Sequence, residues 1–318
     1  MKPDAKDLAL LHALEGNARA RLSELGRATR LSKAAVAQRI SHLESEGFIE
    51  GYYALVDASA LGFMSVRAYV KFSGSSPARE KKFFASLARD KRVWWLGRIQ
   101  GEWDAGFVAW VRSLSEFAEF WEKLERRHGS FFGRREISPY LRLRAYPLDF
   151  ISEAGREAKR KPASSGGEKE AEIDGVDRKI LRALSKNSRA PLVEIARQSG
   201  VSPVVVKYRV RALEKKGVIK GFRAAVNTVA LGYSLYKIDF SFNDVSRRAE
   251  LAGFLEGFPG IAYIDETLES DLEADFYLRN QMELDELLGK VKARFHSSLR
   301  ECNYFVYARV LKYSRFPG

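Results

Sequence analysis

The chain has 318 residues, of which 46% are hydrophobic, ample for buried cores, and 30% are charged, an ordinary fraction for a soluble protein. No apolar run reaches the roughly 18 residues of a membrane-spanning helix, and the N-terminal residues do not follow the pattern of a secretion signal. A single cysteine, Cys302, rules out an internal disulfide and suits a reducing compartment. We therefore expect a cytoplasmic protein with two or more domains.

The net charge of +13 indicates an acidic partner such as nucleic acid. Its distribution is uneven, because residues 173–223 hold 13 lysines and arginines against four acidic residues. Such a concentration is better explained by phosphate contacts than by solubility. The four histidines lie far apart and no Cys or His has ligand spacing, so we predict neither a metal site nor a set of catalytic residues.

The chain repeats itself at a spacing of 170 residues. Asp4 falls on Asp174, and the match continues without a gap as far as Leu61-Gly62 on Leu231-Gly232. Leucines, glycines and arginines coincide at many positions between these ends. The protein is therefore a tandem duplication.

Each repeat begins with a predicted winged helix-turn-helix. In the second copy, Ser202 is a good N-cap and Pro203 suits the first helical position. An apolar stripe follows, Gly217 ends the helix, and an extended segment comes next. Ser32 takes the place of Ser202 in the first copy. This pattern is typical of proteins that insert the second helix into the DNA major groove.

The rest of each repeat predicts the order β-α-β-β-α-β, which is ferredoxin-like. The fold class is therefore α+β, and the uncovered sheet faces should pack on each other as an intramolecular pseudo-dimer. Residues 56–151 hold 17 basic and 11 acidic residues, whereas residues 224–318 hold 11 and 14. These opposite net charges would favour pairing of the two halves within one chain, if they lie at the interface.

The predicted domain boundaries follow from these elements. The segment between the repeats is charged and rich in Ser and Gly, which indicates a flexible linker. The chain is thus divided into a first winged helix-turn-helix (1–55), a first ferredoxin-like domain (56–151), the linker (152–172), a second winged helix-turn-helix (173–223) and a second ferredoxin-like domain (224–318).

These motifs resemble the Lrp/AsnC family of transcriptional regulators. The resemblance depends on D-x-x-D-x-x-I-L-x-x-L at 174–184, on Asn187 and Arg189, and on G-V-S-x-x-x-V-x-x-R-V-x-x-L-E-x-x-G-V-I-x-G at 200–221. It covers nearly the whole chain, as two units of family length. It implies double-stranded DNA as partner, a ferredoxin-like domain that dimerises, and sensing of an amino acid. Whether such pseudo-dimers assemble further is left open.

The predicted DNA-binding residues lie on the two recognition helices. Lys207, Arg211 and Lys215 give the second helix a basic face, while the first carries fewer cations and should bind DNA more weakly. Gln38 on the first helix has the chemistry to read adenine. Arg39 and Arg209, which share one family position, are predicted to contact phosphates, with a structural ion pair as the alternative. The complete set is Lys33, Ala34, Gln38, Arg39 and Ser41, with Pro203, Val204, Lys207, Tyr208, Arg209, Arg211 and Lys215.

The resemblance also implies an effector loop, G-x-x-D, between the second and third strands of the ferredoxin-like domain. The first repeat has it as Gly101 to Asp104, where Asp104 would accept from an ammonium group. That Trp103, inside this loop, stacks on the ligand is a further hypothesis. The alternatives are a glycine turn with a solvated Asp104, and a core position for Trp103. The second repeat reads Ser270-Asp271-Leu272-Glu273 and is interpreted as departing at both motif positions. No cofactor is predicted other than this amino-acid effector.

Two further patterns have competing interpretations. Sirohaem decarboxylases of haem biosynthesis resemble this family in fold, and the resemblance implies a histidine on the strand after the first helix of the sheet domain. The corresponding stretches of this chain, 93–96 and 261–264, contain no histidine. We therefore predict a regulator and keep the enzyme as the alternative.

An acidic set lacks the spacing of a calcium loop and is predicted to be a solvated hairpin; it comprises Asp265, Glu266, Glu269, Asp271, Glu273 and Asp275.

Overall fold

The computed structural model describes residues 2–158, 160–167, 169–268 and 270–317. The two repeats form the same elements in the same order, as their sequences predict. The first repeat consists of α1 (Ala5–Gly16), α2 (Leu22–Thr29), α3 (Lys33–Ser45), β1 (Ile49–Val56), β2 (Met64–Phe72), α4 (Pro77–Arg89), β3 (Val93–Gln100), β4 (Ala105–Val111), α5 (Leu114–His128) and β5 (Phe132–Ala145).

Two short elements, α6 (Glu153–Ala158) and β6 (Ala163–Ser165), separate the repeats. In the part of the chain that the structure describes, no helix has both the length and the apolar character needed to cross a membrane. The second repeat consists of α7 (Gly175–Lys186), α8 (Leu192–Ser199), α9 (Pro203–Lys215), β7 (Ile219–Val226), β8 (Ser234–Phe242), α10 (Arg248–Glu256), β9 (Ile261–Thr267), β10 (Leu272–Leu278), α11 (Gln281–Phe295) and β11 (Leu299–Tyr313).

The described residues form two compact units, and each unit draws on both repeats. The first, the helix-turn-helix unit, comprises the described residues of Met1–Leu61, Ala145–Ala163 and Glu170–Tyr233. The second, the sheet unit, comprises those of Gly62–Arg144, Ser164–Lys169 and Ser234–Gly318. The boundaries predicted after residues 55 and 223 come several residues early, because β1 and β7 pair with each other and keep the following turns in the first unit.

The helix-turn-helix unit is held together by a two-stranded antiparallel ribbon. Strand β1 of the first copy pairs with β7 of the second, with Tyr52 opposite Ala224 and Ala54 opposite Phe222. A wing strand from each copy therefore completes the other. Ala18 N donates to Phe222 O at 2.8 Å and Ser188 N to Tyr52 O at 3.0 Å, so the first helices are fastened to the same ribbon.

The segment predicted to be a flexible linker is anchored in its first part. Arg160 donates from Nε to Asp149 Oδ1 at 2.6 Å and from Nη2 to Glu15 Oε2 at 2.8 Å. Phe150 packs edge to face on Tyr233, with ring centroids 5.0 Å apart. The prediction of a flexible linker over 152–172 is therefore wrong at its start, because the charged side chain of Arg160 anchors a segment whose average composition is that of a linker, and Phe150 anchors the residues just before it.

In the sheet unit the strands close into a ring. The order is β2-β4-β3-β11-β8-β10-β9-β5, and β5 pairs back with β2, while β6 extends from β5. Each half keeps the ferredoxin-like order, β5-β2-β4-β3 and β11-β8-β10-β9. The halves thus share hydrogen-bonded edges at β3–β11 and β5–β9, which removes exposed sheet edges.

Alternation along the strands separates an apolar outer face from a polar interior. Val66, Ala68 and Val70 of β2 point outward to α4 and α5, where Phe107, Phe120 and Trp121 are among the side chains of one buried cluster. Arg67, between Val66 and Ala68, points the other way and is only 1% exposed. The interior of the closed sheet is therefore lined by buried charges.

One lysine lies at the centre of this interior. Lys237 Nζ is 2.9 Å from Asp265 Oδ2, 2.9 Å from Glu273 Oε2 and 3.5 Å from Asp275 Oδ1. Arg67 reaches across from the other half to the same Glu273 and also donates to Glu136 Oε1 at 2.6 Å. We call Arg67, Lys237 and these four carboxylates, with Asp239, the interior charge cluster.

The acidic set was therefore misassigned as a solvated hairpin. Asp265, Glu273 and Asp275 are buried within the interior charge cluster. Asp271 accepts from Phe242 N at 2.8 Å, and Glu269 lies outside the described residues. The prediction placed all of these acids in solvent, whereas alternation along β9 and β10 points every second side chain into the interior. Among the described residues no group of three or more His, Cys, Asp or Glu is arranged to hold a metal ion.

Opposite charges do meet where the two halves join. Besides Arg67 and Glu273, Arg144 Nη1 is 2.8 Å from Glu256 Oε1, and Arg142 Nη1 is 3.8 Å from Glu266 Oε1. In all three pairs the cation comes from the first half and the carboxylate from the second. The charge difference that the sequence suggested as a cause of pairing is thus present at the interface.

Carboxylates outnumber cations in the interior charge cluster, and their pKa values diverge. Burial would raise the pKa of Glu273, but Arg67 and Lys237 lower it to about 2. Burial raises the pKa of Asp275 to about 7, against the weaker influence of Lys237. Burial likewise raises the pKa of Asp239 and of Asp265. Near neutral pH the cluster therefore holds protons that the unfolded chain would release.

We expect Asp275→Asn to be more stable than wild type at pH 8 and equally stable at pH 4. The pKa of Asp275 is about 7 in the folded protein and 3.8 in the unfolded chain. This carboxyl group therefore lowers the free energy of unfolding of the protein as the pH rises between these values. The amide has no such titration. Urea unfolding at pH 4, 6 and 8 should show a gain on the order of 1–3 kcal/mol at pH 8 that vanishes at pH 4. The exposed Asp285→Asn is the control, and equal pH profiles for Asp275→Asn and wild type would contradict the assignment.

Candidate nucleic-acid interface

The outer face of α9 is exposed along its whole length. Ser202 caps the helix by accepting from Val205 N at 3.3 Å, and Val206 and Leu213 are buried beneath it. The opposite side carries side chains open to solvent, with Tyr208 72% exposed. The predicted residues on this side are Pro203, Val204, Lys207, Tyr208, Arg211 and Lys215, and all six are exposed.

The cations of this face are available to a ligand. Within the described part of the chain, Lys207, Arg211 and Lys215 make no ion pair with the protein's own carboxylates. They extend over the helix at spacings of four residues, so they share one side. A basic side of this kind, not covered by protein, is what contact with a polyanion requires.

The corresponding face of α3 is also exposed but chemically different. Ser32 accepts from Ala35 N at 3.2 Å, and Lys33, Ala34, Gln38 and Ser41 face solvent. Only Lys33 among these is charged. Small side chains allow close approach of the helix backbone to a groove, and they leave Gln38 as the longest neutral polar group on the face.

Two arginines that were predicted to contact phosphates, Arg39 and Arg209, form ion pairs within the protein instead. Arg39 Nη1 donates to Asp4 Oδ2 at 2.8 Å and to Asp7 Oδ1 at 2.7 Å. Arg209 Nη1 donates in the same way to Asp174 Oδ2 at 2.8 Å and is 3.4 Å from Asp177 Oδ1. These carboxylates cap α1 and α7, so the arginines tie each recognition helix to the first helix of its copy. The ion-pair alternative is the one that the structure shows.

Reciprocal arginines fix the two copies to each other. Arg19 Nη1 donates to the carbonyl oxygen of Ser188, and Arg189 Nη1 donates to Ala18 O at 2.6 Å. Arg19 lies over the ring of Phe222 and Arg189 over that of Tyr52, at 5.4 and 5.1 Å from the centroids. The sequence showed these arginines only as a repeated motif. Their role in holding two recognition helices in one unit became visible in the structure.

A basic surface at the turn of the first copy was missed. Arg27, Arg30 and Lys33 line a shallow surface cavity of about 310 Å³ together with Ser23, Gly26 and Leu31. Arg30 has φ of 55°, a left-handed conformation that glycine prefers, and the second copy has Gly200 at this place with φ of 75°. Arg30 thus has a backbone conformation that glycine would adopt with less strain, and its guanidinium group adds positive charge beside α3.

The predicted effector loop is occupied by contacts within the chain. Asp104 Oδ2 accepts from Phe72 N at 2.7 Å, and Asp104 Oδ1 from Lys71 Nζ at 3.2 Å. Lys71 Nζ also donates to Gly101 O at 3.1 Å. The Lys71 ammonium group therefore lies where the ammonium of an effector was predicted. An amino-acid effector in this loop stays a prediction, and it would have to displace Lys71.

Trp103 has the core position rather than the stacking one. It is 3% exposed and packs in one buried cluster with Tyr69, Ile99 and Phe305. Its ring stacks on Tyr69 with centroids 5.9 Å apart. A ligand therefore has no access to this ring without rearrangement of the cluster.

The second repeat keeps one of the two motif positions. Val70 pairs with Ala105 in the first half, and Phe240 pairs with Leu272 in the second, which places Asp271 at the position of Asp104. Asp271 Oδ2 accepts from Phe242 N at 2.8 Å, as Asp104 accepts from Phe72 N. The interpretation that both positions depart is thus wrong by two residues of register, because Asp271 and not Glu273 takes the place of Asp104, and only the glycine is absent.

Comparisons with known proteins agree with the duplication. The family described as AsnC-type helix-turn-helix domain matches residues 4–44, and that described as winged helix-turn-helix DNA-binding matches residues 173–220. The HTH-type transcriptional regulator FL11 of Pyrococcus furiosus is 32% identical over 120 residues, which are 37% of this chain and 80% of that protein. The regulator LrpA of Pyrococcus horikoshii is 48% identical over 66 residues, 21% of this chain and 47% of that protein.

A solved structure with the duplicated fold is that of the siroheme decarboxylase NirDL. It has a TM-score of 0.68 and covers 98% of this chain and 94% of its own, at 13% sequence identity. At that identity the likeness concerns the fold alone. By the sequence matches of its two helix-turn-helix copies and the identity to a regulator along most of that regulator's length, the chain belongs to the Lrp/AsnC family of transcriptional regulators, as two family units in tandem.

Proposed function

We propose that the protein regulates transcription by binding duplex DNA through α3 and α9. The observation that carries the proposal is the pair of exposed recognition faces that one unit holds together, one of them basic and without ion pairs to the carboxylates that the structure describes. Recognition helices of this kind enter the major groove, while cations around them contact phosphates. The relatives named as transcriptional regulators support the same function.

The electrostatic part of binding should come from both copies. Lys207, Arg211 and Lys215 supply three cations on α9, and Arg27, Arg30 and Lys33 supply three at the first turn. Each phosphate neutralised releases a counterion, so affinity falls steeply with salt. We infer that positioning on DNA comes from the other five of these cations and that base reading comes from Gln38 and Arg211.

Selection of bound sequences from random DNA, followed by binding at a series of salt concentrations, tests the function. We expect enrichment of a defined site and a slope of log K against log salt of roughly −4 to −5, if about five phosphates are neutralised. A flat salt response or the absence of any enriched sequence would contradict the proposal.

We further propose that the chain is a binding protein and not an enzyme, although it shares a fold with a decarboxylase. The stretches 93–96 and 261–264 contain no histidine. The interior faces of the sheet unit are occupied by the interior charge cluster and by aromatic side chains. Titration with a haem or porphyrin, followed by absorbance, should leave the Soret band unshifted. A stoichiometric shift would favour the enzyme.

A further inference from the structure

The two recognition helices share their inner faces and differ on their outer ones. Inside, Val36 matches Val206 and Leu43 matches Leu213, and Arg39 and Arg209 bind equivalent carboxylates. Outside, six of the seven pairs of positions that are exposed in both helices differ, and only Glu44 and Glu214 are identical. The pairs that differ are Lys33 and Pro203, Ala34 and Val204, Ala37 and Lys207, Gln38 and Tyr208, Ser41 and Arg211, and Ser45 and Lys215.

The structure fixes the two unlike faces in one assembly. The β1–β7 ribbon joins the copies, and the reciprocal arginines Arg19 and Arg189 fasten each copy to the backbone of the other. A dimer of identical chains presents two identical helices and so reads a palindrome. This chain presents one helix of each kind every time it binds.

The chemistry of each face indicates what it would read. On α3, a glutamine among small side chains suits adenine, and Ala34 suits the methyl group of thymine. On α9, Lys207 and Arg211 suit the O6 and N7 acceptors of guanine. The cations are placed differently too, at the turn before α3 and along the length of α9.

We propose that the operator is non-palindromic, with an A·T-rich half-site under α3 and a guanine-containing half-site under α9. This inference rests on the proposed function, since it concerns the sequence of the DNA that the unit binds. The chain would then bind in one orientation only, which a symmetric dimer cannot specify.

Selection from random DNA with two full-length proteins tests this proposal. One is wild type, and the other carries the α9 face on α3 through Lys33→Pro, Ala34→Val, Ala37→Lys, Gln38→Tyr, Ser41→Arg and Ser45→Lys. Proline is tolerated at position 33 because Pro203 holds the same first helical position. We expect a non-palindromic site for wild type and an inverted repeat of the guanine-containing half for the chimera.

The outcomes separate the two proposals. A palindromic wild-type site would overturn the asymmetric operator and leave DNA binding intact, whereas no enriched sequence for wild type would overturn the proposed function itself. If circular dichroism shows the chimera unfolded, Gln38→Ala decides instead. It should relax the preference at one base of one half-site, roughly 10- to 100-fold; relaxation in both halves would overturn the proposal.

Discussion

Replacing Lys237 by methionine is expected to lower the free energy of unfolding by about 3–5 kcal/mol. The lysine side chain is 0% exposed, and its ammonium group is within 3.5 Å of three carboxylates. Methionine fills nearly the same volume, so the loss is mainly electrostatic. It leaves Asp265 without its cation in a low-dielectric interior, where an unpaired carboxylate is costly.

A matched lysine from the same unit serves as control. Lys71 also pairs with an aspartate, at 3.2 Å from Asp104 Oδ1, but its side chain is 41% exposed. Lys71→Met should cost no more than about 1 kcal/mol, because solvent screens exposed pairs. Urea unfolding at pH 7 measures both. A loss at Lys237 no larger than that at Lys71 would contradict a charge network in the interior.

A second variant separates charge from packing. Adding Asp265→Asn to Lys237→Met should recover part of the lost stability, since it removes a carboxylate that has no other cation in contact among the described residues. One oxygen of Asp265 already has no hydrogen-bond partner among the described residues, so the amide removes a charge there at little structural cost. If the double variant is less stable than the single one, the loss comes from packing.

The sequence predicted the parts of the sheet unit but not its interior. Element order and the ferredoxin-like halves follow from local patterns and from the repeat, and both are confirmed by the fold. The ion pair between Arg67 and Glu273 joins residues 206 positions apart, and no local pattern contains that contact. Alternation alone could not show whether the acids of β10 face solvent or the other half.

The helix-turn-helix unit gives a similar contrast. Caps, helices and the recognition faces were predictable because each depends on residues within one or two turns. Arg39 was not, since its carboxylate partner Asp4 lies 35 residues away in another helix. From sequence, a phosphate contact was predicted for this arginine and an ion pair was the alternative, because the local pattern does not contain the distant carboxylate. Anchoring of the linker by Arg160 depends on Glu15, 145 residues earlier.

Removing the charges of Lys207 and Arg211 together is expected to weaken DNA binding about 10- to 100-fold near 0.1 M salt. Both side chains are exposed on α9, and neither has an internal carboxylate partner among the described residues. Lys33→Ala with Gln38→Ala on α3 removes one charge and should weaken binding less. Gel-shift titrations of the two double variants against wild type make the comparison.

Salt dependence shows which contacts are lost. If Lys207 and Arg211 contact phosphates, their removal should reduce the slope of log K against log salt by roughly two, while Lys33 accounts for one. Lys81→Ala with Lys82→Ala is the control, because it changes net charge equally on an exposed face of α4. Its slope should match wild type unless net charge alone steers binding.

Equal losses for the α9 and α3 double variants would refute the electrostatic asymmetry between the two recognition helices. The remaining distinction is between positioning and reading. A phosphate contact weakens all sequences alike, whereas a base contact by Arg211 would relax the preference for guanine at one position. Repeating the titration with Arg211→Lys on the selected site and on a site with that guanine replaced separates the two. Lysine keeps the charge but loses the two-pronged geometry, so a loss confined to the selected site assigns Arg211 to base reading.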